Sequence, residues 1–289
     1  MQQLQINLNA NGVAAPAQRA AWQCSEIVTF CLQSAAASDL SKQPEIVTNA
    51  MAYKFTGPDM TAIERFGLYE NWLLAKGFHE LARGIHESLE EAVFYIELLK
   101  NQQTQTTWGE FQAKVAAIRK RAGRLPFPTL LAEVNAGLTA PLAFADEFAS
   151  FQKVRNCLEH RAGTVGAEDV DQTQHLTLTL PRLKMFYVNP AGDEVELAAG
   201  VIIDTHEHTG MAEILMKREN RARSYALGEK ITFNSAEFSE IAFACNMFAS
   251  DLAAKLPTLP PAEPLLSLLA SPANGTGTTV ARSAISEMR

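Results

Sequence analysis

The chain has 289 residues, 47% of them hydrophobic and 20% charged, with a formal net charge of −7. That length supports one large domain or two small ones with a real core. The acidic balance excludes a general nucleic-acid coat protein and leaves room for a local basic site.

The four cysteines, Cys24, Cys31, Cys157 and Cys245, form no CxxC pair, so a zinc ribbon is not expected. No basic segment followed by an apolar run opens the chain, so no signal peptide is read. No uncharged apolar stretch is long enough for a bilayer, so no membrane contact is expected and the cytoplasm is the expected location.

Residues 1–15 are polar and small and read as a flexible N-terminus, ahead of a helical bundle over 16–166. From Ala17 to Ala37, Trp22, Ile27, Phe30 and Cys31 recur near helical spacing and are expected to face the core. Cys24 and Cys31 are seven apart, share a face and read as buried thiols. A second helical region begins near Pro58-Asp59, with Asp59 as the expected N-cap, and runs through Trp72, Phe78, Ile85 and Val93 to Leu99. Gly77 and Gly84 are expected to bend or divide it. Thr107 to Arg121 is a further helix, after which Pro126 and Pro128 interrupt the chain. Residues 141–161 form the next helix, and Gly163 is placed to end it in a left-handed conformation.

The pattern then changes period. Leu176, Leu178 and Leu180, then Leu183, Met185 and Tyr187, alternate as in a strand, and Asn189 to Asp193 reads as a turn. Short β-like runs follow in 195–203 and 212–233, so 167–234 is predicted to be a small antiparallel sheet. Residues 235–256 return to helix, with Ser235 as N-cap and a stripe of Phe238, Ile241, Cys245, Phe248 and Leu252. Residues 257–289, rich in Pro, Gly, Ser and Thr, read as a disordered tail. The predicted fold class is α+β, predominantly α: a helical bundle with a small antiparallel β-sheet inserted before the last helix.

The most informative stretch is Arg155-Asn156-Cys157-Leu158-Glu159-His160. On a helix turning about 100° per residue, Phe144, Phe148, Phe151, Val154 and Leu158 share a core-facing side. Arg155 falls at the edge of that stripe, while Asn156 and His160 lie on one line facing outward. A histidine with a near-neutral pKa beside a planar arginine fork can perform metal-free phosphodiester chemistry on RNA. An outward-facing histidine needs a second wall to hold a substrate, and the same helix of a second copy is the simplest one. The same residues also suit a plain structure, with Arg155 and Glu159 as a surface salt bridge and His160 as a cation at a helix C-terminus.

Arg155-Asn156 followed by His160 on a helix of a bundle resembles the motif of the HEPN superfamily, an Arg followed by a His after four to six residues with a polar residue next to the Arg. The resemblance covers the helical parts, about 17–161 and 235–256; the β insertion departs from a minimal bundle of that family. It implies a metal-independent endoribonuclease in which Arg155, Asn156 and His160 are catalytic. In such a site a ribose 2′-hydroxyl attacks the adjacent phosphorus and leaves a cyclic phosphate. It also implies a homodimer through the motif helix, an RNA substrate, and a place among toxin or defence components with an antitoxin or other protein partner. Other members of the superfamily are non-catalytic RNA- or protein-binding modules, and that alternative stays open.

Lys153 and Arg161 flank the motif and, with Arg119, Lys120 and Arg121, are candidates for binding phosphate. A second basic group is Lys217, Arg218, Arg221 and Arg223. Asp204, His206 and His208 alternate and, if extended, share a side, which makes them weak candidates for a metal. No metal or other cofactor is expected, and no Walker, GxGxxG or GxSxG motif is present. His79 and His86, two turns apart among several glutamates, read as a solvated helix face.

Overall fold

The structure, a computed structural model, describes residues 8–44, 46–47, 52–53, 57–100, 107–197 and 213–258. Expectations for the first seven residues, for 198–212 and for the tail beyond 258 lie outside the described residues. The elements are α1 (Ala10–Ala36), β1 (Ile46–Val47), β2 (Ala52–Tyr53), α2 (Ala62–Lys100), α3 (Trp108–Ala122), α4 (Phe127–Gly137), α5 (Ala145–His160), β3 (His175–Val188), β4 (Glu194–Glu196), β5 (Leu215–Ala226) and α6 (Ser235–Lys255). The fold is α+β and mostly helical, with the sheet inserted between the last two helices as its period change predicted.

The spine is α2, a single helix of 39 residues and about 58 Å. Its cap is Thr61 rather than Asp59: Thr61 and Glu64 exchange side-chain to backbone hydrogen bonds across the first turn. Gly77 and Gly84 do not divide it. A Cβ at Gly84 would stand 2.6 Å from the Ala20 Cβ and 3.0 Å from the Pro16 carbonyl, so this glycine lets α1 lie against the spine. At Gly77 the same vacancy takes the Phe238 ring from α6. Ser88, fully buried on α2, accepts a hydrogen bond from the Ala17 N–H at 3.0 Å.

This close approach reverses the expected face of α1. The helix starts at Ala10, capped by Asn9, and buries Val13, Ala14, Ala17, Ala21, Cys24, Val28 and Leu32. Trp22 and Phe30, expected in the core, are 62% and 69% exposed, Ile27 is exposed too, and Cys31 is only half-buried. An interface that admits no Cβ on one helix accepts alanines on the other and excludes large aromatic rings, so the small residues decide the phase.

α4 was not foreseen. Pro126 and Pro128 start it instead of breaking the chain, because proline is tolerated in the first turn of a helix. It buries Phe127, Leu130, Leu131 and Val134. The last helix is capped by Asn234 with Glu237 in a reciprocal capping box, one residue before the expected Ser235. Its predicted stripe of Phe238, Ile241, Cys245, Phe248 and Leu252 is buried.

The three strands pair antiparallel in the order β4-β3-β5, with Leu180 opposite Arg221 and Met185 opposite Met216. The turn at 189–193 closes by an Asn189 N–H to Asp193 carbonyl bond, with Gly192 at φ +89°. Leu176, Leu178 and Leu180 are buried, and β3 packs on α5 and α6. Ser150 fastens α5 to β3: its hydroxyl accepts from the Thr179 N–H at 2.9 Å and donates to the Thr179 carbonyl at 3.0 Å. Further along, Arg182 is buried between Glu196 and Glu219, and Met185 and Met216 are exposed.

Gly84→Val inserts a branched side chain against backbone and Ala20, which cannot yield as a flexible side chain would. It is expected to lower stability by about 2 kcal/mol despite valine's better helix propensity. The urea midpoint, followed by circular dichroism, measures it.

Candidate functional site

Aromatic packing places α5. Phe148, Phe151, Val154 and Cys157 are buried along one side of it. The Phe151 ring lies 4.2 Å from Phe78 of α2, and Phe148 lies 4.3 Å from Phe248 of α6, centroid to centroid. Phe233, just ahead of α6, stacks on Phe78 at 5.1 Å. Leu158 and Phe144 complete the predicted stripe as partly buried members of the same core.

Once Phe78 is locked inward, the next residue turns about 100° to the rim of α2. That residue is His79, and it faces the edge of α5 where Arg155 and Glu159 emerge. Glu159 pairs with the Arg155 guanidinium, as the four-residue spacing predicted, in a short ion pair. The same carboxylate oxygen, Oε2, is 4.0 Å from His79 Nδ1 and 3.8 Å from His160 Nε2. One arginine and two imidazoles therefore converge on a single anionic oxygen. The other end of the Arg155 fork donates to Asn156 Oδ1 at 3.1 Å, and Gln152 Nε2 donates to that oxygen at 3.2 Å. Arg155 is 25% exposed, His79 32% and His160 60%, so the cluster opens to solvent at the histidine end. α2 is thus one wall beside the motif.

The helix end is fastened behind the cluster. The Arg161 and Gly163 N–H groups both donate to the Cys157 carbonyl, and Ala162 and Gly163 take φ of +52° and +79°. Arg161, a candidate phosphate ligand, grips the buried Asp169, its Nε donating to Oδ2 at 2.6 Å, and also meets Glu168 at 3.1 Å. Asp169 further accepts from the Gly166 N–H at 2.9 Å. Burial works against its charge, but the Arg161 and Gly166 hydrogen bonds outweigh that and hold its carboxyl below the usual range. Cys157, beside Asn156, is pushed up to about 11 by burial first and the Asp169 charge second, which favours the buried thiol at neutral pH.

The other expected cations divide. Lys153 is exposed on α5, seven residues from His160 and hence on the same line about 10 Å away. Arg119 and Arg121 are held in two-pronged pairs by Glu91 and Glu133. Glu91 lies twelve residues beyond His79 on α2, about 18 Å along the helix, so α3 does not bring its basic group to the cluster. Lys120 is exposed on that same helix. Lys217, Arg221 and Arg223 are paired with Glu194, Glu240 and Glu237. Asp204, His206 and His208 lie outside the described residues. Among the described residues no group of three or more His, Cys, Asp or Glu is arranged to hold a metal, and no helix is long and apolar enough to cross a membrane.

Sequence patterning missed His79. His86 is half-buried too, paired with Glu90 at 3.0 Å on its own helix and 6.3 Å from the Phe127 ring of α4, centroid to centroid. Nothing in the local pattern separates the two; only the tertiary contact of Phe78 with Phe151 turns His79 toward α5. Compared with protein-family models, curated proteins and solved structures, the chain matches none.

Asp169→Ala leaves Arg161 without its buried partner and is expected to cost about 3 kcal/mol at pH 7. A carboxyl held low in the folded state contributes stability above its unfolded value, about 3.9, that is lost as pH falls through the folded value. The wild-type advantage in melting temperature should therefore be full at neutral pH and shrink below about pH 4.

Proposed function

We propose that the protein is a metal-independent endoribonuclease of HEPN type, with Arg155, Asn156 and His160 in its active site. The observation that carries this is the convergence of Arg155 and His160 on one anion position, Glu159 Oε2, at an open rim of the fold. A phosphate oxygen fits the same position. In the proposed reaction His160 takes the proton of a ribose 2′-hydroxyl and the 2′-oxygen attacks phosphorus. Arg155 then stabilises the added negative charge, and Asn156 holds the guanidinium in its plane. The phosphorus–5′-oxygen bond breaks, the 5′-oxygen takes up a proton and leaves as a hydroxyl, and the product end is a cyclic phosphate. Lys153 lies on the His160 line and suits a neighbouring phosphate of the same strand. A second copy docked on the motif helix would close the open side, and an antitoxin or other protein partner would restrain such an enzyme in a toxin or defence setting.

A second reading is an RNA- or protein-binding module without turnover. The Arg155–Glu159 pair favours it, because the fork that would hold a phosphate is already satisfied by a carboxylate. Cleavage separates the two readings. Purified protein in EDTA is expected to cut a labelled RNA pool to fragments with cyclic phosphate ends. His160→Ala is expected to lose at least a hundredfold in rate with an unchanged melting temperature. Binding by both proteins with no cutting would favour the module instead.

A further inference from the structure

Cleavage of a phosphodiester by an internal hydroxyl needs two proton transfers. One removes the proton of the 2′-hydroxyl as the 2′-oxygen–phosphorus bond forms. The other delivers a proton to the 5′-oxygen as its bond to phosphorus breaks. A single His160 does only the first.

The geometry points to His79 as the second group: acting in the same chain as His160, it protonates the leaving 5′-oxygen. This rests on the ribonuclease reading above and extends it. Because both ring nitrogens face Glu159 Oε2, at 4.0 and 3.8 Å, they are less than about 8 Å apart. A base and an acid within hydrogen-bond reach of the two in-line oxygens of one phosphorus stand roughly 6–9 Å apart. The upper limit of about 8 Å falls inside that range, and both histidines belong to one chain.

Glu159 marks where the phosphate goes. Its carboxylate sits between the two imidazoles and on the Arg155 fork, each at ion-pair range. A phosphodiester carries the same single negative charge, so exchanging one anion for the other leaves the charge of the cluster unchanged. The Glu159 side chain is 34% exposed and can swing to water as the substrate enters. After the step His160 carries the 2′-proton and His79 has given its own. Exchange with water resets both, so no other reactant is required.

The two histidines do different work, and leaving-group chemistry tells them apart. An oligoribonucleotide with one 5′-bridging sulfur releases a thiolate, whose conjugate acid has a pKa of about 8.5 and needs no proton to depart. On ordinary RNA, His79→Ala is expected to slow cleavage on the order of 10²–10⁴-fold. On the sulfur substrate the same variant should cut within about threefold of wild type, whereas His160→Ala fails on both. His79→Gln, which keeps a side chain of similar reach, serves as the second variant, and a misfolded protein would lose both substrates rather than one. Full RNA cleavage by the His79 variants would overturn the assignment while leaving the enzyme reading intact. Equal loss on both substrates by both variants would also overturn it. Activity regained on mixing His79→Ala with His160→Ala would move the pair across two subunits and overturn the single-chain site. If the wild type cuts neither substrate, the ribonuclease reading itself fails.

Discussion

Everything near the candidate site depends on one packed group of phenylalanines. Phe78, Phe148, Phe151, Phe233, Phe238 and Phe248 join α2, α5 and α6, and five of them are almost completely removed from water. Burying each ring contributes about 1.5–3 kcal/mol, and well-placed ring pairs add about 0.5–1.5 kcal/mol. A close-packed aromatic cluster allows few alternative arrangements. The rotation of α5 about its axis is therefore set from inside, and with it the direction in which Arg155, Asn156 and Glu159 leave the helix. On α2 the same cluster sets the direction of His79.

The remaining elements hold that frame in place. Small residues bring α1 against the spine, and this puts Trp22 and Phe30 outside. The sheet buttresses α5 through Ser150 and the leucines of β3. The loop after α5 is closed by Arg161 on Asp169 and by backbone bonds from Val165 to Glu229 and from Ile231 to Gly163. Many basic residues serve such joints. Arg119, Arg121, Arg182, Arg221 and Arg223 each meet a carboxylate, so in this acidic chain runs of cations mark structural pairing more than a path for phosphate. Exposed pairs of this kind contribute little stability each, but they do neutralise the fork that a ligand would use.

The motif was legible because helical geometry is short-ranged. Four-residue spacing was enough to pair Arg155 with Glu159 and to place Arg155 at the edge of the buried stripe. The turn at Asn189–Asp193, the end of α5 near Gly163 and the stripe of α6 were legible for the same reason, since each depends on neighbours along the chain. The errors came where two legible signals competed. In α1 the aromatic pattern and the alanine pattern imply different buried faces, and the fit to Gly84 chose between them. In α4 the prolines carried both a breaking and a starting meaning, and the buried Phe127 and Leu130 decided for the start.

By itself the sequence determined the order of the helices other than α4, the insertion of the sheet before the last helix, and the helical segment that carries Arg155, Asn156, Glu159 and His160. These follow from periodicity, turn chemistry and capping, which act over a few residues. Only the tertiary structure decided which face of α1 is buried, which cations are already paired, and that His79, eighty positions before Glu159, stands across from it. Those outcomes depend on how closely distant helices approach and on which side chains fill the space between them, and no local pattern encodes that distance.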